Sequence, residues 1–196
     1  FIPIIPEPTK CDLKNEFVEL IDLNIKIDNK ELDIFEEIEV YTKPLEIKFN
    51  LNKGIPLFFL HTNLKSEEYK IEIRSEKIEI QYSDYAGKLY ALMTLMQLIN
   101  YYTNKLPLCF IEDSPSLEWR GMHLDCARQY YSLKEIKRLF NYMALFKLNR
   151  FHWHLTDNEA WRLDIKSYPN LASDTSFRGY KHTIPPLYGS GYNRYG

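Results

Sequence analysis

Cysteine is scarce in this chain. Three occur in 196 residues, Cys11, Cys109 and Cys126, with no C-x-x-C spacing between any two. An odd number so widely spread argues against a disulfide framework. Long apolar runs are missing as well, and none approaches the roughly 20 residues of a membrane span. No basic stretch leads into an apolar core, so no signal peptide is visible. Nor is there an excess of either charge: 25 Lys and Arg face 27 Asp and Glu, a formal net of −2. That balance gives no reason to expect a nucleic acid or a membrane surface as partner. The chain opens on Phe1 rather than Met and closes on "YGSGYNRYG". Both ends are therefore read as cut, and the compartment stays open between bacterial periplasm and cytoplasm. The oligomeric state is equally open.

What is present is apolar and aromatic. Hydrophobic residues make up 45% of the chain and aromatics 15%, mostly fifteen Tyr and eleven Phe. A core can be buried, in one large domain or two modest ones. "FIPIIPEPTK", with Pro3, Pro6 and Pro8, reads as an extended lead-in. In "LIDLNIKID", Ile21, Leu23, Ile25 and Ile27 alternate with polar residues, which predicts a half-buried strand. "PLEIKFNL" alternates likewise, and "IPLFFLH" reads as a short buried strand. "YKIEIRSEKIEIQYS" predicts a hairpin, its strands at 69–73 and 77–82. The period then changes. Leu89, Leu92, Met93, Met96 and Ile99 recur at helical spacing. Residues 1–110 are thus expected to form a non-catalytic α+β domain, several strands with one packed helix.

"LPLCFIEDSPSLEWR" is read as the boundary to a second domain over 111–196. There "RGMHLDCAR" predicts a strand ending near Asp125. Ser132 and Glu135 form an S-x-x-E capping box ahead of Leu133, Ile136, Leu139, Phe140 and Met143 on one helical stripe. Lys147 falls in the last turn, Asn149 is placed as the C-cap, and "RFHWHLTD" follows as the next strand. Strand, helix and strand within about 40 residues make a βαβ unit, which requires a parallel pair and more elements to cover it. The segment 163–196 reads as loop. Too few residues remain for a whole βα barrel, which needs about 250.

Chemistry concentrates in "RFHWHLTDNEAWR", residues 150–162. Alternation puts His152 and His154 on one face, with Phe151, Trp153 and Leu155 turned toward the covering helix. An H-x-H pair is a weak metal signal, since zinc takes three or four protein ligands and His61, His123 and His182 offer no helpful spacing. As polar fillers, the histidines would leave Asp157, Asn158, Glu159 and Trp161 unexplained. Those four follow the strand's C-terminal end, where α/β folds carry their chemistry. The first strand likewise ends in Asp125, with Arg128 close behind. Two acids on one rim fit a site; they fit equally two turn caps, or partners for Arg128 and Arg162. Trp161 is the better sugar platform, because Trp153 shares the parity of the core.

The stretch R-G-x-x-L-D-x-x-R, then K-L-N-x-x-H-W-H-L-T-D, then W-R-L-x-I with Y-P-x-L resembles the start of the catalytic barrel of the β-N-acetylhexosaminidases, the family 20 glycoside hydrolases. "EEYKIEI" and "YAGKLYALMTLMQLI" are similar to that family's small non-catalytic domain. The resemblance implies an α+β domain followed by the first βαβ part of a (β/α)8 TIM-type barrel, incomplete in this chain. It also implies removal of terminal β-linked N-acetylglucosamine or N-acetylgalactosamine from a glycan or chitin-type oligosaccharide, with no metal or organic cofactor. Catalysis would be retaining and substrate-assisted, the exception to the two-carboxylate scheme. By the resemblance Arg120 binds ring hydroxyls and Asp157 lies in the pocket, while His154, Asp125 and Trp161 support them. The family's catalytic Asp-Glu pair has no counterpart here and is expected downstream of residue 196. The usual L-T-D-D-Q reads "LTDNE", with Asn158 and Glu159 in the last two places. Two rivals stay open: a carbohydrate-binding or scaffold protein without the chemistry, and a metal-binding protein built on His152 and His154.

Overall fold

The computed structural model describes residues 2–157 and 161–176. They fall in two compact units, Phe1–Glu118 with Ala144–Lys147, and Trp119–Met143 with Leu148–Gly196.

The first unit begins, after the Pro-rich lead-in, with strand β1, Lys10–Glu19. A 3-10 turn follows at Ile21–Leu23, and β2 is only Asn24–Lys26. The long strand expected across 21–27 is therefore cut short. Asp22 and Leu23 both adopt left-handed backbone, φ 51° and 54°, which no strand accommodates. Two short helices come next, α1 at Leu32–Glu37 and α2 at Glu39–Thr42. The expectation of a single helix in this unit missed them. Their signal was Ile34, Phe35 and Ile38, buried at helical spacing. Strand β3, Lys48–Asn50, is shorter than "PLEIKFNL" suggested, because Lys43–Leu45 is a 3-10 turn. Strand β4 is Ile55–His61; only Leu57 in it is buried, and Phe58 and Leu60 are exposed, so it is not the buried strand expected. The hairpin forms as read, β5 at Tyr69–Ile73 antiparallel to β6 at Ile78–Tyr82. The long helix α3 spans Tyr85–Tyr102.

Strand β7, Lys105–Asp113, occupies the stretch read as a boundary. Residues 110 and 111 lie inside it, and the first unit runs on to Glu118. Pro107 disguised this strand. The pairing with β5 covers only Cys109–Asp113, so the missing N–H of Pro107 forfeits no bond to β5. The seven strands form one sheet in the order β1-β7-β5-β6-β4-β2-β3. The half from β1 to β6 is antiparallel and the half from β6 to β3 is parallel. Strand period decides its faces: Tyr69, Ile71 and Ile73 of β5 and Cys109 and Ile111 of β7 point into the core. Helix α3 packs on β5, β6 and β7. It buries Leu95 and Leu98 as well as the predicted Leu92, Met93, Met96 and Ile99, so its apolar face is wider than one stripe.

Helix α3 is started by Asp84, whose carboxylate accepts from Gly87 N at 2.8 Å. The same carboxylate accepts from Glu67 N and Ser66 Oγ. Burial pushes its pKa up, but these hydrogen bonds outweigh that, and it lies below the ordinary value. Deeper in the unit, Asp113 stands directly across the sheet from Tyr69. Tyr69 donates to Asp113 Oδ2 at 2.8 Å, and Lys147 Nζ lies 2.8 Å from both. With its one proton given to Asp113, the phenol accepts from Thr94 Oγ1 at 2.6 Å and from Lys147. Burial, then the charge of Asp113, raises the Tyr69 phenol well above its usual range, so it stays a donor. A buried cation and anion thus satisfy one another.

In the second unit, β8 is Gly121–Asp125 and β9 is Arg150–His154, paired in parallel. Helix α4, Leu133–Leu145, connects them. The capping box forms: Ser132 N donates to Glu135 Oε2 at 2.7 Å, and Glu135 N to Ser132 Oγ at 3.3 Å. At the other end, Leu148 N donates to Met143 O and Lys147 N to Ala144 O, a Schellman pattern. The left-handed terminator is Lys147, φ 59°, not Asn149. Asn149 instead accepts from Arg120 N through its side chain, tying the starts of the two strands. Part of the stretch read as loop is helical, α5 at Pro169–Thr175, with Pro169 at its first position where the missing N–H costs nothing.

Candidate active site

Parallel pairing decides which residues of the second unit meet. The register puts His123 across from His152 and Asp125 across from His154. Residues directly opposite share a face, so His123, His152 and His154 gather on one side of the two-stranded sheet. Ring centroids are 4.6 Å apart for His123–His152 and 5.9 Å for His123–His154. On the opposite face Phe151 meets Phe140 of α4 edge-on at 4.8 Å, and Trp153 donates to Cys126 Sγ. The parity read for Phe151 and Trp153 is therefore the observed one.

At the C-terminal end of β9, Asp157 is the convergence point. Its Oδ2 lies 3.0 Å from Arg128 Nη2 and 3.1 Å from His154 Nε2. All three side chains are a quarter to a third exposed. An ionised carboxylate only accepts, so Nε2 of His154 is the donor in this contact. An imidazole held against a carboxylate that a guanidinium also contacts is an arrangement suited to orienting a polar ligand or a proton.

Asp125 is engaged elsewhere. Its Oδ1 accepts from Ala127 N at 2.9 Å and Arg128 N at 3.0 Å, closing the turn after β8. It positions Arg128, and through Arg128 it reaches Asp157. Trp161 donates to Leu163 O at 2.7 Å. Arg162 donates to Cys126 O at 3.1 Å and to Ser176 O, and its guanidinium stands 5.6 Å from the Tyr130 ring. Asn158, Glu159 and His182 lie outside the described residues.

Arg120 is at the other end. It precedes β8, and its carbonyl accepts from Asn149 N and Arg150 N. Four residue steps of strand from Gly121 to Asp125 span about 13 Å at 3.3 Å each. Among the described residues the structure brings together His154, Asp157, Arg128 and, through the turn, Asp125, while the backbone of Arg120 lies at the opposite end of β8. Sequence reasoning discounted His123 because its spacing from the H-x-H pair, about 30 residues, matches no metal motif. Counting back from the two strand ends, Asp125 and His154, is the signal that finds it.

The description "Glycosyl hydrolase family 20, domain 2" matches residues 2–114, and "Glycosyl hydrolase family 20, catalytic domain" matches residues 117–194. A beta-hexosaminidase of Vibrio furnissii is 40% identical over 133 residues, covering 66% of this chain and 22% of that protein. The N,N'-diacetylchitobiase of Vibrio harveyi is 34% identical over 142 residues, 70% of this chain and 16% of that protein. Among solved structures, the GH20 exo-beta-N-acetylglucosaminidase of Vibrio harveyi in complex with N-acetylglucosamine superposes with TM-score 0.80 and 33% identity, over 100% of this chain and 32% of that one. At 22% and 16%, the chain spans about a fifth of the length of these curated relatives. The fold is an α+β domain followed by the first βαβ part of a TIM-type barrel, incomplete in this chain.

Proposed function

The chain belongs to glycosyl hydrolase family 20, and from that premise we propose that the whole protein removes terminal β-linked N-acetylglucosamine or N-acetylgalactosamine from glycans or chitin-type oligosaccharides. The reaction is retaining. The 2-acetamido oxygen of the substrate attacks the anomeric carbon while a glutamic acid protonates the leaving oxygen. That acid and the aspartate that orients the acetamido group are assigned to chain downstream of residue 196. This chain contributes one wall of the pocket.

Support comes above all from Asp157, whose Oδ2 takes both His154 Nε2 and Arg128 Nη2 at the rim where α/β barrels bind their substrates. We assign Asp157 to the sugar pocket and His154 to holding it. Asp125 acts through the turn that carries Arg128, and Trp161 supports the sugar ring. Arg120 is assigned to the ring hydroxyls, which a guanidinium fork fits two at a time. Its reach from the start of β8 along the inner face is what this role requires.

The test is hydrolysis of an aryl β-N-acetylglucosaminide by the full-length protein and by its Arg120→Ala and Asp157→Ala variants. Arg120→Ala removes hydrogen bonds from a charged group, about 1.5–3 kcal/mol, and should lower kcat/KM by about 10–150-fold. Asp157→Ala should cost about 100-fold or more, chiefly in kcat. Folded variants with undiminished kcat/KM refute the two assignments. A folded but inert wild-type protein refutes the hydrolase itself and leaves carbohydrate binding.

A further inference from the structure

The histidines of the paired strands do more than the proposed hydrolase asks of them. His154 has a place beside Asp157; His123 and His152 have none in that chemistry. Yet one ligand nitrogen from each of the three rings lies within 4.8 Å of the others. In this chain His123 and His152 are exposed and His154 is half-buried. They sit on adjacent, hydrogen-bonded strands, which hold their Cβ atoms more firmly than loops do.

We propose that His123, His152 and His154 form a three-imidazole site for a borderline divalent transition-metal ion of the Zn2+ class. The donor set fixes that class. Three imidazole nitrogens suit zinc, copper or nickel, whereas calcium and magnesium take oxygen ligands. Three protein ligands with a fourth position for water is a familiar zinc arrangement. Tetrahedral nitrogens at about 2.05 Å from zinc stand about 3.3 Å apart. From 4.8 Å the ligand nitrogens must close by about 1.5 Å, a change of side-chain torsion. A supporting partner is already in place. Ligating histidines commonly give their second ring N–H to a carboxylate, and His154 gives Nε2–H to Asp157, itself held by Arg128. On this proposal Nδ1 of His154 is the ligand nitrogen. Sequence spacing hid the site because two of its ligands come from β9 and the third from β8.

The experiment uses the full-length protein without a polyhistidine tag, stripped with a chelator and titrated with ZnCl2 by calorimetry. Metal retained after gel filtration is counted by elemental analysis. One equivalent should bind at micromolar free zinc or tighter. His123→Gln and His152→Gln should each weaken binding at least about 100-fold, and Asp157→Asn by about 10–100-fold through the supporting hydrogen bond. Unchanged affinity in both folded His→Gln variants, or no ion bound at micromolar zinc, overturns the site. If a variant does not fold, Cu2+ bound to the wild-type protein is examined by electron paramagnetic resonance. Hyperfine splitting from three imidazole nitrogens supports the site, and splitting from fewer overturns it. None of these readouts depends on hydrolysis, so the site stands or falls separately from the proposed activity.

Discussion

Lys147 is where two structural demands compete, and their magnitudes decide the outcome of replacing it. As the helix terminator at φ 59° it occupies a conformation that glycine takes freely and other L-residues adopt at a cost of about 1–2 kcal/mol. Local propensity alone therefore says that Lys147→Gly stabilises. The ammonium, however, is 2.8 Å from Asp113 Oδ2 and from Tyr69 OH, with Lys147 5% and Asp113 8% exposed. Removing one partner of such a pair leaves a buried charge uncompensated, at about 3–5 kcal/mol. The ion pair wins, and Lys147→Gly should destabilise the first unit by about 1–4 kcal/mol net. Lys147→Met keeps the backbone cost unchanged and should show the full 3–5 kcal/mol or so. Amide hydrogen exchange in the full-length protein, read on peptides covering β5 and β7, measures this locally. At 1.36 kcal/mol per decade, the Met variant should exchange about 100-fold to a few thousand-fold faster. Asp113→Asn added to Lys147→Met removes the orphaned charge and should recover about half the loss. Exchange in Lys147→Met within threefold of wild type, or no recovery in the double variant, would refute the compensated pair.

Two further outcomes follow from the start of α3. Asp84→Ala removes a helix cap and should cost about 1–2 kcal/mol in urea unfolding. The Asp84 carboxyl titrates below its ordinary value of 3.8, so its contribution is full above that pH and fades as acid protonates it. Wild type and variant should converge in stability below that value; a gap that persists undiminished at pH 2 contradicts the assignment. Gly87→Ala should destabilise by about 1–3 kcal/mol, although alanine is the better helix former. The added Cβ would come 2.6 Å from the backbone oxygen of Glu68, which cannot swing aside. A raised melting temperature in that variant would show the Glu67–Glu68 turn to be free to retreat.

Where a signal was local, it could be read without the fold. The hairpin of β5 and β6 alternates cleanly, α3 is apolar over most of its length, and the Ser132–Glu135 capping box marks the start of α4 to the residue. The two left-handed residues Asp22 and Leu23 broke an alternation that otherwise promised a strand. Pro107 and the Glu112–Asp113 pair gave a nine-residue strand the look of a linker. In the second case pairing with β1 and β5 outweighed local composition. Pairing between β1 and β7 joins residues far apart in the chain, such as Lys10 and Glu112. No periodicity encodes that partnership.

Local pattern was enough, then, for the hairpin, for α3 and α4, for the βαβ order and for Asp125, Arg128, His154 and Asp157 near strand ends. It was enough because alternation, capping and turn chemistry act over a few residues. Tertiary structure alone decided which of those residues touch. It made Asp125 the cap of the turn after β8, and made Lys147, read only as a residue of the last helical turn, half of a buried ion pair. It also set His123 beside His152 and His154. The physical reason is register: a strand carries its own period of two, but its alignment with a neighbour is chosen by the whole packed sheet, and a shift of one residue moves every side chain to the other face.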